Sequence, residues 1–186
     1  MEKVLVIIAH PDDETIWAGG TLLENNWDLT ILSLCRRDDI DRAPRFQKVC
    51  KEYKAKCFMS DLEDKNLQPL ESDEIIQRIK EFAEDEYDII ITHGKNGEYG
   101  HIRHKEIHKA VVEMLNLKLI KAKNIFFFSY LKKGRYAYPN KNSDKFIYLK
   151  PNIFLRKRNL IQNVYGFKNG SFEERCCRNA ESFRLK

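Results

Sequence analysis

Short, nearly continuous apolar runs recur along this chain, separated by stretches patterned as helices. Lys3 to Ala9 is the clearest: Val4-Leu5-Val6-Ile7-Ile8-Ala9 has no polar face, as a strand buried on both sides requires. Trp27 to Leu34, Lys56 to Met59, Tyr87 to Thr92 and Asn124 to Tyr130 read as further strands. Between them, Asp41 to Tyr53 carries Phe46, Val49, Cys50 and Tyr53 at helical spacing. Ser72 to about Glu84 does the same with Ile75, Ile76, Ile79 and Phe82, and His101 to Leu117 with Ile107, Val111, Met114 and Leu115. Thr21-Leu22-Leu23-Glu24 matches a capping box and predicts a helix running on from there. This β-α alternation predicts an α/β fold in which helices cover both faces of a mostly parallel sheet. From about Gly134 the alternation weakens. Lys145 to Leu149 reads as an edge strand, Pro151 to Gln162 as a helix with Pro151 in its first turn, and Asn163 to Lys186 as a helical tail. With no repeat and no boundary in view, residues 1–186 are expected to form a single domain.

Bulk composition narrows the class. At 186 residues, 42% hydrophobic and 33% charged, the chain suits an ordinary globular domain with one core. No apolar run approaches the roughly 18–20 residues of a membrane helix. The opening run ends in His10-Pro11-Asp12-Asp13, not in a small-residue cleavage site, so it reads as a strand and the chain as cytoplasmic. Five cysteines without a CxxC pair argue against a disulfide framework and a thiolate zinc site. The net charge of +5 gathers late, at Lys132, Lys133, Arg135, Arg156, Lys157 and Arg158. Such a surface could attract an anion or nucleic acid, but no nucleic-acid-binding signature accompanies it, and no nucleic-acid partner is expected.

In parallel sheets functional residues gather at the carboxyl ends of strands. Two clusters of ligand-type groups fall there. His10-Pro11-Asp12-Asp13-Glu14 follows the first strand; His93 to His104, with glycines at 94, 97 and 100, follows the strand at 87–92. Imidazole and carboxylate suit a borderline metal such as zinc, and a catalytic site needs three protein ligands and an open position. His10, Asp13 and His104 supply that set. His108, a further turn along, is a second option for the last ligand; His93 reads equally as an orienting group or as a buried structural histidine.

Three segments carry a family resemblance: His10-Pro11-Asp12-Asp13-Glu14, Gly19-Gly20-Thr21-Leu22, and Gly97-Glu98-Tyr99-Gly100-His101-x-x-His104. In type and order, over roughly residues 3–130, they resemble the PIG-L/LmbE family of metal-dependent N-deacetylases. The resemblance implies a Rossmann-like fold and removal of an N-acetyl or other N-acyl group from an amino-sugar-containing small molecule. It makes His10, Asp13 and His104 the ligands of one divalent ion, zinc first and iron(II) second. It makes Asp12 the general base, His101 the group that stabilises the oxyanion or protonates the departing amine, and Tyr99 a neighbour of the transition state. Arg42 and Asp64 fall where the family contacts substrate. The chain departs from the family at Ile102-Arg103, where Pro-Asp is common, and at Arg45, where acid is more usual. An anionic substrate would explain the added positive charge, and so would drift. The competing functions are a metal-dependent phosphoesterase and a non-catalytic Rossmann-like binding domain. The second would need GxGxxG after the first strand, where His10-Pro11-Asp12-Asp13 stands instead.

Overall fold

The computed structural model describes residues 1–186. Five parallel strands form the body of one sheet: β1 (Lys3–Ile8), β2 (Asp28–Ser33), β3 (Lys56–Met59), β4 (Glu86–Thr92) and β5 (Lys121–Phe128). The helices between them are α1 (Asp13–Glu24), α2 (Arg42–Glu52), α3 (Ser72–Lys80) and α4 (Ile102–Asn116). After β5 come a hairpin, β6 (Tyr130–Lys133) and β7 (Tyr136–Pro139), then β8 (Lys145–Tyr148), α5 (Pro151–Asn159), a π-helical turn at Leu160–Val164, α6 (Phe172–Cys176) and β9 (Ala180–Leu185). The sheet order is β3-β2-β1-β4-β5-β9-β8; β9 runs antiparallel to both of its neighbours, β5 and β8. This is the expected α/β, Rossmann-like architecture. No helix is long and apolar enough to cross a membrane.

The continuous apolar strands follow from two-sided burial. Val4, Val6 and Ile8 of β1 feed the core layer under α1 and α2, while Leu5, Ile7 and Ala9 feed the layer under α3 and α4. Neighbouring side chains of a strand point to opposite faces, so both registers must be apolar. Because β1 lies between β2 and β4, the order in which strands are added reverses there, and the crevice at the carboxyl ends of β1 and β4 is the switch point of the topology.

Two expectations fail. The Thr21–Glu24 box does not open a helix: α1 begins at Asp13 and ends at Glu24. The Thr21 hydroxyl and the amides of Gly20 and Thr21 instead donate to the Glu181 carboxylate. The helical tail is also wrong. Between Asn163 and Lys186 only the end of the π turn and the five-residue α6 are helical, and Ala180–Leu185 is a strand inserted between β5 and β8. The β9 run AESFRL lacks β-branched residues, and its conformation comes from long-range pairing: Phe126 opposite Leu185, Phe128 opposite Phe183, Tyr148 opposite Ala180.

Candidate active site

The turn after β1 is held by its own side chains. Asp13 Oδ2 accepts the His10 amide at 2.9 Å, and Oδ1 accepts the Trp17 indole N–H at 2.8 Å. Asp12 adopts φ 120°, a conformation that L residues rarely take. The fully buried Glu14 supports it, accepting the Asp12 amide at 3.1 Å while Tyr165 and Thr15 donate to its other oxygen at 2.7 and 2.6 Å. From the β4 side, His101 caps α4, its Nδ1 accepting the Arg103 amide at 3.3 Å. That acceptance leaves the ring proton of a neutral His101 on Nε2.

His104, in the first turn of α4, meets His10 and Asp13 at this crevice. His10 Nδ1 lies 3.2 Å from Asp13 Oδ2, His104 Nε2 lies 3.3 Å from the same oxygen, and the two imidazole nitrogens are 3.3 Å apart. Tetrahedral zinc with bonds of about 2.0–2.1 Å separates its ligand atoms by about 3.3–3.4 Å, so two imidazoles and a carboxylate at these spacings fit one such ion. A ring nitrogen of His101 also falls within 4.8 Å of those of His10 and His104. Burial works against the charged form of His104, but Asp13 and Glu98 outweigh it and raise its pKa to about 10. A field that favours a proton on this imidazole favours any cation there. Burial likewise opposes the Asp13 carboxylate, and the facing His104 and His10 nevertheless hold it well below the usual range.

Asp12, Tyr99, His101 and Arg42 line the cavity that opens beside these groups. Burial first, and the Asp13 charge second, push the Asp12 carboxyl well above its ordinary pKa, with Arg42 opposing. Burial, with His104 and His10, lowers His101 to about 4. Arg42 donates to Asp12 and lies over the Phe167 ring at 4.2 Å. Asp64 lies outside the lining of this cavity: it pairs with His10 Nε2 at 3.0 Å and with Arg36 at 2.9 Å.

The expected excess of positive charge is not free at the site. Arg45 is spent on Asp41 and on the carbonyls of Val164 and Tyr165. Arg103 is fully buried, donating to the Glu63 carbonyl and to the carboxylates of Glu63 and Glu106, and so ties the loop that carries Asp64 to α4. His108 bonds the His93 carbonyl at 2.9 Å and packs on Phe127, away from the ligand triangle.

Sequence reasoning missed several contributors, Glu98, Phe172 and Glu173 among them. Glu98 stood inside a quoted motif but read as loop; it is fully buried between His93 and His104. Phe172 and Glu173 of α6 line the cavity, with Phe172 edge-on to Tyr99 at 4.6 Å between ring centroids. Nothing local in their sequence marks them.

Comparison with known proteins bears on the family and the fold. A family model described as "PIG-L: GlcNAc-PI de-N-acetylase" matches residues 5–115. A relative from Acanthamoeba polyphaga mimivirus, "Uncharacterized protein L374", is 30% identical over 134 residues, covering 59% of this chain and 56% of that protein. The chain thus matches little more than half the length of that relative. Among solved structures, a conserved protein from Thermus thermophilus superposes with TM-score 0.70 at 15% identity, over 99% of this chain and 94% of that one. The N,N'-diacetylchitobiose deacetylase from Pyrococcus horikoshii, in complex with its inhibitor MPG, superposes with TM-score 0.73 at 16% identity, over 100% of this chain and 84% of that one. At these identities the structural likeness establishes the fold.

Proposed function

Because the chain belongs to the PIG-L family of GlcNAc-PI de-N-acetylases, we propose that it is a metal-dependent N-deacetylase of an amino-sugar-containing small molecule. The observation that carries this is the 3.2–3.3 Å triangle of His10 Nδ1, Asp13 Oδ2 and His104 Nε2, of which His10 and Asp13 line the adjoining cavity. These three residues would hold one divalent ion, zinc in the first instance and iron(II) as the alternative. Bound there, the ion supplies a lowered pKa for water and polarisation of the amide carbonyl.

The remaining work falls to side chains. Asp12 takes the proton of the attacking water, and its raised pKa strengthens it as a proton acceptor. Neutral His101 presents Nε2–H as a donor to the developing oxyanion, and Tyr99 offers its hydroxyl at the same wall. The departing nitrogen needs a proton, because an amide anion is a very poor leaving group. With His101 lowered to about 4 and its Nδ1 already accepting the Arg103 amide, that proton is the one Asp12 took from water. Phe172 and Glu173 complete the cavity, which supports reading the C-terminal segment as part of the same domain.

The test is metal analysis of the purified protein together with a screen of N-acetylated sugars and conjugates for released amine. One ion per chain and amine release are expected. Stoichiometric metal with turnover of phosphate esters alone would make it a phosphoesterase, and absence of metal would leave a binding domain.

A further inference from the structure

We propose that Glu98 is a positioning residue that fixes the His104 imidazole with its Nε2 lone pair turned to the metal, a role that rests on the metal-site reading above. Glu98 has no solvent exposure, which a carboxylate tolerates only where donors match its charge. Gly97 and Gly100 take positive φ at little cost, but between them Glu98 itself sits at φ 55°. For glutamate the left-handed region is unfavourable, so this geometry is held by what the side chain binds.

Its bonds can be followed donor by donor. Glu98 Oε1 accepts the Gly94 amide at 2.8 Å. Oε2 meets His93 Nδ1 at 2.9 Å and also meets His104 Nδ1. His93 Nε2 accepts the Ala9 amide at 2.9 Å, so the proton of a neutral His93 sits on Nδ1 and is donated to Glu98. A carboxylate only accepts. His104 Nδ1 must therefore carry a proton, and the remaining nitrogen, Nε2, faces His10 and Asp13. The chain Ala9–His93–Glu98–His104 ties the end of β1 to the first turn of α4, the two places that supply the ligands. His93 stacks on His104 with centroids 3.8 Å apart, which holds the same ring in plane. A carboxylate on the far nitrogen of a ligating histidine orients the ring and raises its basicity, and removing such a partner typically weakens metal binding about 10–100-fold.

Glu98→Gln keeps the shape but replaces one acceptor oxygen with an NH2 group, which must oppose the Gly94 amide or the two imidazole N–H groups. The experiment measures zinc affinity by chelator competition for the unsubstituted chain, Glu98→Gln, Glu98→Asp and Glu181→Gln, with urea midpoints for each. Glu181 is an equally buried carboxylate remote from the ligands, so its variant controls for lost stability. The expected result is zinc affinity about 10–100-fold weaker in Glu98→Gln, a smaller loss in Glu98→Asp, and unchanged affinity in Glu181→Gln. Should Glu98→Gln not fold, the Glu98→Asp value against Glu181→Gln decides. Binding by both Glu98 variants within about twofold of the unsubstituted chain, well short of the loss expected for such a partner, would overturn the role of Glu98 and leave the metal site standing. An unsubstituted chain that binds no zinc or iron(II) would overturn both.

Discussion

Arg42 donates from Nη1 to Asp12 Oδ2 across 3.0 Å, so the arginine expected to meet substrate grips the carboxylate expected to act as base. Asp12 sits at φ 120°, and the guanidinium is the only side-chain donor on that carboxylate. Arg42→Ala should therefore lower kcat as well as raise KM. A rise in KM with kcat unchanged would restrict Arg42 to uniform substrate binding. Asp12→Ala should keep its zinc while kcat falls by about 10²–10⁴, and retained turnover in the metal-loaded variant would remove Asp12 from the role of base.

The buried contacts of Arg103 predict a bracing role with no effect on the titration of His101. Its guanidinium is buried against Glu63 and Glu106, and the lowering of His101 comes from burial, His104 and His10. The basic limb of kcat/KM against pH should superimpose for the unsubstituted chain and Arg103→Leu. The loop from Asp61 to Leu67 should instead lose its anchor and be cleaved faster in limited proteolysis. Equal cleavage rates would show that the loop stands without Arg103.

Glu173 is the charge in the cavity wall with no hydrogen-bonding or ion-pair partner of its own, whereas Arg36 and Arg42 are both paired with aspartates. An anionic sugar would meet that carboxylate without a free cation to offset it. Neutral N-acetyl sugars are expected to be turned over better than matched phosphorylated ones, and Glu173→Gln should narrow the gap. A preference for the anionic member that falls steeply with added salt would instead restore the expectation drawn from the arginines.

Asp64 makes the metal-free protein sensitive to acid. Burial opposes its charge, but His10 and Arg36 outweigh that and bring its pKa to about 2, against about 3.9 in an unfolded chain. A depressed carboxyl contributes stability that is complete above the unfolded value and is lost as pH falls through the folded one. The difference in urea midpoint between the unsubstituted chain and Asp64→Asn should thus be largest above about pH 4 and shrink towards about pH 2. A difference constant across that window would count against the pairing.

What could be read beforehand follows from where the information lies. β1, β2 and β4 were legible because burial on both faces leaves little room for polar residues, and the ligand clusters because they directly follow such strands. β9 was not, since Glu181 and Ser182 are tolerated in its buried stretch only through distant partners: Lys157 at 2.7 Å and the amides of α1 for Glu181, the Ser129 carbonyl for Ser182. Asp64 was found by position yet serves His10, and Arg103 was weighed for its charge but matters for its anchorage. In each case the partner is set by tertiary contact, which neither periodicity nor motif spacing encodes.

The bonds from Tyr165 to Glu14 and from Glu181 to Gly20 and Thr21 span 151, 161 and 160 positions of sequence. They impose an order on biogenesis. A nascent chain emerging from the ribosome can pair β1 with β2 early, but the helix behind the ligand turn stays unsealed until Glu181 has left the exit tunnel. Asp12 likewise lacks its full support until Tyr165 arrives. Loop closure over such spans is slow relative to local pairing, so the buried bonds behind α1 and beneath Asp12 should mature late, after most of the sheet has already formed.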